Sequence, residues 1–146
     1  MTNIKISVKI NLSAYANNDG GGYMNNSESK EMYLETILLL HRRGARVKAT
    51  DVATELGFSR PSVSNAVKKM QADGYIYLNK ANEIEFTEKG RERAESTYER
   101  HCVLTDLLKM VGAPSDIAEE NACRMEHVVS DELFEVLKKF WSERKN

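Results

Sequence analysis

Apolar residues recur at helical spacing in the first long patterned segment of the chain, from Ser27 to Gly44. Residues three and four positions apart lie on one face of a helix. That face would carry Tyr33, Leu34, Ile37, Leu38 and Leu40. Ser27 is a suitable N-cap for this helix, and glycine at position 44 is a suitable terminator. The pattern therefore predicts one amphipathic helix between these two residues.

Two shorter helical patterns follow, separated by Gly-Phe-Ser. The first begins at Thr50, which is expected to act as its N-cap, and ends at Gly57. The second has Ser59 as its expected N-cap and tolerates Pro61 in its first turn. Its apolar positions are Val63, Ala66, Val67 and Met70. Two helices at this spacing are typical of a helix-turn-helix.

The next segment changes from helical to strand-like patterning. Residues 75–78 and 83–86 are predicted to form two strands joined by a turn at residues 79–82, which would be a wing beside the helix-turn-helix. Three further helices are predicted, from Thr87 to Met110, from Ser115 to His127 and from Ser130 to Trp141. The predicted fold is mainly α, with an N-terminal winged helix-turn-helix and a following all-helical metal-binding and dimerisation domain.

The last of these helices carries large apolar residues at helical spacing. They are Leu133, Val136, Leu137, Phe140 and Trp141. Such a face is expected either to pair with a second copy of the chain or to pack into the protein's own core, and the two roles are compatible.

Residues 1–23 differ in composition from the rest. Apolar and polar residues alternate from Ile4 to Leu12, as in a strand, before a run of asparagine and glycine at positions 17–22. The segment is interpreted as an edge strand, as a disordered tail, or as a translated leader upstream of a native start at Met24. The predicted domains are this extension (1–23), a DNA-binding domain (24–89) and a metal-binding and dimerisation domain (90–146).

Charge is distributed unevenly over a chain that is nearly neutral as a whole. The chain has 146 residues, 41% of them hydrophobic, which is enough to bury a core. From Leu38 to Lys80 there are eight Lys or Arg and three acidic residues, a net charge of +5. Residues 81–146 hold ten basic and fifteen acidic residues, a net charge of −5. The basic half indicates contact with a polyanion, and the acidic half a different task such as dimerisation or cation binding.

The compartment follows from cysteine usage and from the lack of targeting signals. No window has the apolar run of a membrane-spanning helix, and the first residues lack a signal-peptide pattern. The only cysteines, Cys102 and Cys123, do not form a disulfide framework, which favours a reducing compartment. A cytoplasmic protein with no membrane partner is predicted. Cys102 is interpreted as a packing or spare thiol.

The second helix of a helix-turn-helix enters the major groove of DNA with its N-terminal residues first. The residues predicted to meet DNA are Ser59, Arg60, Pro61, Ser62, Ser64, Asn65, Lys68 and Lys69, with Lys80 on the wing as an additional candidate. Asn65 is suited to an adenine edge, and Arg60 to backbone phosphates. The alternative is a solvated polar face in a fold used for protein contacts.

A set of metal-ligating residue types ends the predicted fifth helix. Cys123, Glu126 and His127 are spaced so that one helix face would present sulfur, oxygen and nitrogen donors. Further candidate donors elsewhere are Met32, Glu35 and His101. Sulfur with imidazole favours Fe(II), Co(II), Ni(II) or Zn(II), whereas carboxylates alone suit Mn(II). The alternative for each residue by itself is ordinary core or surface packing.

Several separated stretches together resemble the diphtheria toxin repressor family of metal-dependent regulators, which includes iron-dependent repressors and manganese transport regulators. The resemblance covers the chain from about Ser27 onward. The stretches are residues 31–37 (EMYLETI), 58–64 (FSRPSVS), 78–90 (ending FTEKG), 100–101 (RH) and 122–131 (ACRMEHVVSD). The family's frequent C-terminal SH3-like domain has no counterpart, so a short form is expected.

The resemblance also implies which residues bind metal. The implied ligands are Met32, Glu35, His101, Cys123, Glu126 and His127, with Glu119 as an additional candidate. The methionine and cysteine match the primary site of the iron branch, and His101 matches a histidine used in both branches. Glu35 matches the manganese branch, which has aspartate in place of Met32. The iron branch has histidine in place of Glu119 and glutamate in place of Thr105, which weakens any copy of its second site.

The predicted function is a metal-dependent transcriptional regulator, a repressor, that controls metal homeostasis. It is expected to bind double-stranded operator DNA as a homodimer when loaded with Fe(II), which is favoured, or Mn(II). Co(II), Ni(II) and Zn(II) are expected to substitute in vitro, and no small-molecule substrate or catalysis is expected. Alternatives are a winged-helix regulator that ignores metal, a metal buffer, and an enzyme using Cys123 and His127. The enzyme would lack an oxyanion site or phosphate loop.

Overall fold

The computed structural model describes residues 26–145, with side chains from residue 28 onward. Within this range the chain forms six helices and one two-stranded sheet, which confirms the predicted mainly α fold with a wing. The elements are α1 (Asn26–Arg42), α2 (Ala49–Leu56), α3 (Arg60–Ala72), β1 (Ile76–Leu78), β2 (Ile84–Phe86), α4 (Glu88–Met110), α5 (Ser115–Met125) and α6 (Asp131–Arg144). The predicted strand and alternative start within residues 1–24 lie outside the described residues. Among the helices of the described range, none is long and apolar enough to cross a membrane.

The helix-turn-helix consists of α2 and α3, joined at Gly57. This glycine has a left-handed backbone with φ of 69°, which ends α2, and the Ser59 side chain accepts a hydrogen bond from the Ser62 amide to begin α3. The expected cap at Thr50 is wrong, because α2 begins one residue earlier. The Lys48 amide donates to the Asp51 carboxylate at 2.8 Å. The Asp51 side chain, and not Thr50, therefore accepts a hydrogen bond from a backbone amide at the start of the helix.

The wing is an antiparallel hairpin in which Ile76 pairs with Phe86 and Leu78 with Ile84. Each strand is one residue shorter than predicted, beginning at Ile76 and Ile84. The Asn79 side chain stabilises the turn, because its oxygen accepts hydrogen bonds from the backbone amides of Ala81 and Glu83. Asn82 adopts a positive φ of 58°, which asparagine tolerates better than most residues. The wing is thus a compact, locally stabilised element.

Helix α4 is the central element and packs against α1, α5 and α6. Its first turn lies close to the base of the wing, where a Cβ added at Gly90 would stand 1.8 Å from the Tyr75 carbonyl oxygen. The Thr87 amide donates to the same carbonyl at 3.1 Å. The absence of a side chain at Gly90 therefore allows α4 to reach the DNA-reading unit.

The C-terminal helices differ from the predicted bounds. Helix α5 follows Pro114 and ends at Met125, so the prediction that it continues to His127 is wrong; residues 126–129 form a turn before α6. Helix α6 is capped by Ser130, where its predicted range begins, but it extends past the predicted end at Trp141 to Arg144. Trp141 donates its indole N–H to Asp106 of α4 at 2.9 Å. Trp141, one member of the apolar set on α6, therefore contacts α4 of the same chain.

Candidate metal centre and DNA-reading surface

Donor side chains from α1, α4 and the end of α5 converge in the interior beside α4. Two groups of three residues place one ligand atom each within 4.8 Å of the others, and Glu126 belongs to both. The first group is His101, Cys123 and Glu126, and the second is Glu35, Glu126 and His127. We refer to these five residues as the donor cluster. Four of them are at most 2% exposed, and the His127 side chain is 4% exposed.

Short distances connect the members of the donor cluster. His101 Nδ1 lies 2.9 Å from Glu126 Oε2 and 3.8 Å from Cys123 Sγ. The other carboxylate oxygen of Glu126, Oε1, lies 3.4 Å from His127 Nε2. Glu126 is therefore the central residue, with one histidine beside each of its oxygens.

The turn after α5 places Glu126 and His127 at this point. The Glu126 amide still bonds to the carbonyl of Ala122, so this residue continues the helical path of Cys123. Arg100 of α4 donates to the Glu126 carbonyl at 3.3 Å, and also to the Val129 carbonyl and the Asp131 carboxylate. One arginine thus ties α4 to the turn that carries two members of the donor cluster.

Burial perturbs the ionisation of this cluster. Burial raises the pKa of Glu126 to about 8, and the charge of Glu31 adds to the rise. Burial raises the pKa of Glu35 well above its ordinary value, with a further rise from the charge of Glu126. Burial lowers the pKa of His101. Without a cation, the cluster therefore favours neutral carboxyl groups and a neutral imidazole.

The donor cluster fits a divalent transition metal. Buried polar atoms without a hydrogen-bond partner are found on Glu35 (Oε1), Glu126 (Oε1) and His101 (Nε2). Such atoms are rare in protein interiors because leaving them unsatisfied costs about 1–3 kcal/mol each. Metal–ligand distances near 2.0–2.3 Å place donors on opposite sides of an ion somewhat over 4 Å apart, which matches the spacing of the cluster. Thiolate, imidazole and carboxylate together are a donor set for such an ion.

The remaining predicted ligands lie near the cluster. Met32 is 3% exposed and stands one turn before Glu35, in the same buried cluster of core residues as Cys123. Glu119 is half-buried, one turn before Cys123, and its charge favours protonation of His101. Glu119 belongs to neither donor group found among residues 28–145. Cys102 is also outside both groups, in keeping with its interpretation as a packing thiol.

Two residues at the cluster's edge were not found by sequence reasoning. The Glu31 carboxylate lies 2.7 Å from His127 Nδ1 through Oε2, while its Oε1 pairs with Arg93 of α4. Burial opposes ionisation of Glu31, but the hydrogen bond from His127 and the charge of Arg93 together lower its pKa below the ordinary value. The sequence gives one weak signal for Glu31, which is its position immediately before Met32 and four residues before Glu35.

The predicted DNA-reading residues are all exposed, eight of them in or next to α3 and one on the wing. The exposed members are Ser59, Arg60, Pro61, Ser62, Ser64, Asn65, Lys68, Lys69 and Lys80. The Ser59 hydroxyl caps the helix by accepting the Ser62 amide, and it donates to the Ser62 hydroxyl at 2.8 Å. The apolar residues of α3 face inward, with Val63, Val67 and Met70 buried. The polar face is therefore available to a partner while the apolar face supports the fold.

Protein-family models match the chain in two consecutive parts. The model described as the iron dependent repressor N-terminal DNA-binding domain matches residues 25–83. The model described as the iron dependent repressor metal-binding and dimerisation domain matches residues 87–146. The junction between the two matches coincides with the approach of α4 to the wing.

Individual relatives agree with these matches. An uncharacterised helix-turn-helix-type transcriptional regulator of Methanocaldococcus jannaschii is 35% identical over 122 residues, covering 82% of this chain and 98% of the relative. The iron-dependent repressor IdeR of Mycobacterium tuberculosis is 35% identical over 107 residues, covering 73% of this chain and 46% of the relative. The solved structure of the manganese regulator SloR has a TM-score of 0.68 and 32% identity, covering 77% of this chain and 53% of SloR. The chain thus spans about half the length of IdeR and SloR and nearly all of the archaeal regulator.

Proposed function

The chain belongs to the iron-dependent repressor family, and on that basis we propose that it is a transcriptional repressor whose affinity for operator DNA is raised by a divalent metal ion. The donor cluster is the proposed sensing site, with Met32 as a further ligand from α1 and Glu119 as an additional candidate. The polar face of α3, with Lys80 on the wing, is the proposed DNA-binding surface. The proposed domain boundary lies between residues 89 and 90.

One observation carries this proposal. The donor cluster unites α1, which packs beside the helix-turn-helix, with α4 and the end of α5. A ligand that contacts all three segments stabilises only the arrangement in which they meet. Because α1 packs on both α2 and α4, that arrangement also sets the position of the DNA-reading helices. Helix α1 therefore connects the proposed metal site to the DNA-reading helices.

The chain's own residues account for the weaker DNA binding expected of the metal-free form. Burial raises the pKa of both Glu35 and Glu126, so without a metal ion the pair favours its neutral form and offers no charge that holds α1 to the turn after α5. A divalent ion held by both carboxylates would supply the positive charge that keeps them ionised. Glu35 on α1 can then stay ionised in the interior, and α1 remains held against the turn after α5. In the metal-free state α1 is held less firmly, so the DNA-reading unit has more freedom.

A homodimer is the proposed binding form, and α6 supports it. Leu133, Val136 and Phe140 are 49%, 64% and 44% exposed, at spacings that place them along one side of the helix. Leu137 and Trp141 from the same predicted apolar set are half-buried, and Trp141 hydrogen-bonds to Asp106 of the chain's own α4. The exposed residues form an apolar strip suited to a second copy of the chain.

The proposed test is a metal titration of DNA binding under anaerobic conditions, with a duplex selected by this protein from a random-sequence pool. Fe(II) or Mn(II) is expected to raise DNA affinity by ~5–150-fold over protein held in chelator, a common range for coupling between two sites. Fluorescence anisotropy of the labelled duplex measures the effect. A repressor that ignores metal would show the same affinity with every metal and with chelator, and that result would refute the proposed function.

The matched control is an Asn65→Ala variant on the exposed face of α3. It is expected to weaken DNA binding in the loaded state by ~5–150-fold, the effect of losing about 1–3 kcal/mol of base recognition, while metal affinity measured without DNA stays unchanged. Conversely, unchanged DNA affinity in this variant would remove Asn65 from the proposed base-reading set.

We propose Fe(II) as the preferred metal and Mn(II) as the second choice, because the set includes the sulfur of Cys123 and of Met32. Replacing the thiolate by a carboxylate in Cys123→Glu is expected to lower activation by Fe(II) and Co(II) relative to Mn(II) by ~10-fold or more. The measurement is the metal concentration at half-maximal DNA binding for each ion. An unaltered ranking of metals would argue against Cys123 as a determinant of selectivity.

A further inference from the structure

Glu31 lies outside the donor cluster but contacts one of its members, and the proposed function does not use this contact. Its Oε2 lies 2.7 Å from His127 Nδ1, although the two residues are 96 positions apart in the chain. We infer that Glu31 is a positioning residue that holds the His127 imidazole with its Nε2 directed into the donor cluster. This inference rests on the proposed function, because it assigns a role toward the proposed metal site.

The geometry assigns the two ring nitrogens of His127 to different neighbours. Nδ1 faces Glu31, while Nε2 lies 3.4 Å from Glu126 Oε1 inside the cluster. A carboxylate can only accept a hydrogen bond, so the hydrogen of the neutral imidazole is placed on Nδ1. The lone pair of Nε2 then points toward the cluster, and it is the lone pair that binds a metal ion.

Glu31 is itself held in place, which makes it suited to this role. Its second oxygen pairs with Arg93, and its side chain is 13% exposed. The His127 side chain is 4% exposed, so solvent offers little competition for Nδ1. Both residues line a polar cleft of about 270 Å³, which also reaches Glu126. The arrangement joins α1, α4 and the turn after α5 through a single carboxylate.

The first readout is the tautomer of His127 in metal-free protein. The chain has three histidines, so long-range proton–nitrogen NMR spectra give three imidazole patterns, and His127→Ala identifies the one that matters. At a pH where the spectra show a neutral imidazole, the wild-type protein is expected to carry the hydrogen on Nδ1. In Glu31→Ala the signal is expected to change to the Nε2–H form or to a mixture of the two forms. An unchanged Nδ1–H pattern in this variant would overturn the inference.

The second readout is Co(II) affinity, followed by the absorption of the bound ion. Glu31→Ala is expected to weaken Co(II) binding by ~10–100-fold, the usual effect of removing a carboxylate partner from a metal-binding histidine. Glu31→Gln keeps an acceptor oxygen at the same place and is expected to recover at least about half of that loss on a logarithmic scale. If Glu31→Gln binds Co(II) as weakly as Glu31→Ala, or if both bind like wild type, the positioning role is refuted.

Arg93→Gln separates positioning from a simple bridge between α1 and α4. This variant removes the ion pair with Glu31 but leaves the contact with His127. It is expected to retain the Nδ1–H tautomer and to change Co(II) affinity by less than ~3-fold. If Arg93→Gln reproduces both effects of Glu31→Ala, the ion pair and not the imidazole contact is responsible, and the inference fails. Glu95→Ala, which changes an exposed carboxylate on α4, is the background control.

Failure of this inference can be told apart from failure of the proposed function. His127→Ala and Cys123→Ala are measured beside the Glu31 variants. If neither weakens Co(II) binding, the donor cluster is not the metal site and the proposed function loses its basis. If both weaken binding but Glu31→Ala does not, only the role of Glu31 is overturned. Circular dichroism of each metal-free variant verifies the fold, and the conservative Glu31→Gln remains informative if Glu31→Ala fails to fold.

Discussion

The Glu126→Gln variant is expected to lose nearly all metal-dependent stimulation of DNA binding. Glu126 belongs to both donor groups and has a histidine beside each of its oxygens. Glutamine has almost the same shape but lacks the negative charge and is a poor metal ligand. We expect metal affinity to fall by more than ~100-fold. This is more than the usual effect of changing a residue that only hydrogen-bonds to a metal ligand. The measurement is metal-titrated anisotropy with the selected duplex.

The matched control for this variant is Glu120→Gln on α5, where the Glu120 side chain is 44% exposed and pairs with Arg124. It removes the same charge from the same helix and is expected to leave the metal response within ~2-fold of wild type, since an exposed pair contributes little. A Glu126→Gln protein that responds to metal like the Glu120→Gln control would contradict the proposed sensing site.

The same Glu126→Gln variant is expected to alter how stability depends on pH in the metal-free protein. The pKa of Glu126 is about 8 in the folded state against an ordinary 4.5, so the folded state keeps a proton that the unfolded state has released. Stability therefore decreases as pH rises through this window, by up to about 1.4 kcal/mol per pH unit. Glu35, whose pKa is also raised, contributes with the same sign.

The best range for this measurement is pH 6.5 to 8. Below it, the lowered pKa of His101 has the opposite effect, because an imidazole that resists protonation when folded costs stability as pH falls. Urea unfolding in chelator should show wild-type stability decreasing across this range and a shallower slope for Glu126→Gln. Equal slopes for the two proteins would contradict a protonated Glu126 in the metal-free state.

The Gly90→Ala variant is expected to be destabilised by ~3 kcal/mol or more. In an ordinary helix this change would stabilise by about 0.5–1 kcal/mol, so the predicted sign is reversed. The reason is that the new Cβ would lie 1.8 Å from the Tyr75 carbonyl oxygen and 2.8 Å from its carbon. Both are backbone atoms, so no change of rotamer relieves the overlap. The start of α4 must move away from the wing, which breaks the hydrogen bond from the Thr87 amide.

Urea unfolding at one fixed protein concentration measures this effect, since dimerisation makes stability depend on concentration. Ser96→Ala, at an exposed position of the same helix, is the control and is expected to change stability by no more than ~0.5 kcal/mol. A Gly90→Ala protein at least as stable as wild type would mean that α4 does not approach Tyr75 so closely.

The helical architecture could be predicted because its signals are local. Gly57 and Ser59 set the turn between α2 and α3 through their own backbone and side-chain preferences. The wing has its own turn signal, in which Asn79 bonds to nearby amides. Errors of one or two residues arose where a neighbour provided the cap, as Asp51 does for the Lys48 amide. Interactions within one turn of the chain can be predicted from sequence spacing. The exact first and last residues of each helix are harder to predict.

The candidate site was only partly predictable. The spacing of Cys123, Glu126 and His127 pointed to a shared face, although α5 ends before the last two of them. The meeting of Glu35 with this set came from family resemblance, because hydrophobic patterning treats a glutamate on an amphipathic helix as a surface residue. In the structure Glu35 is 2% exposed. Carboxylates are rarely buried, so hydrophobic patterning does not predict a buried glutamate.

By itself, the sequence determined the order of the elements, the helix-turn-helix with its wing, and the residue types able to bind metal, because periodicity and capping act over a few residues. Only the tertiary structure decided that Glu126 lies between two histidines, that Glu31 contacts His127, and that Gly90 lies against Tyr75. The contacts of Glu126 with His101, of Glu31 with His127 and of Gly90 with Tyr75 each join residues at least 15 positions apart. Their distances depend on how several helices pack at once, which no local pattern specifies.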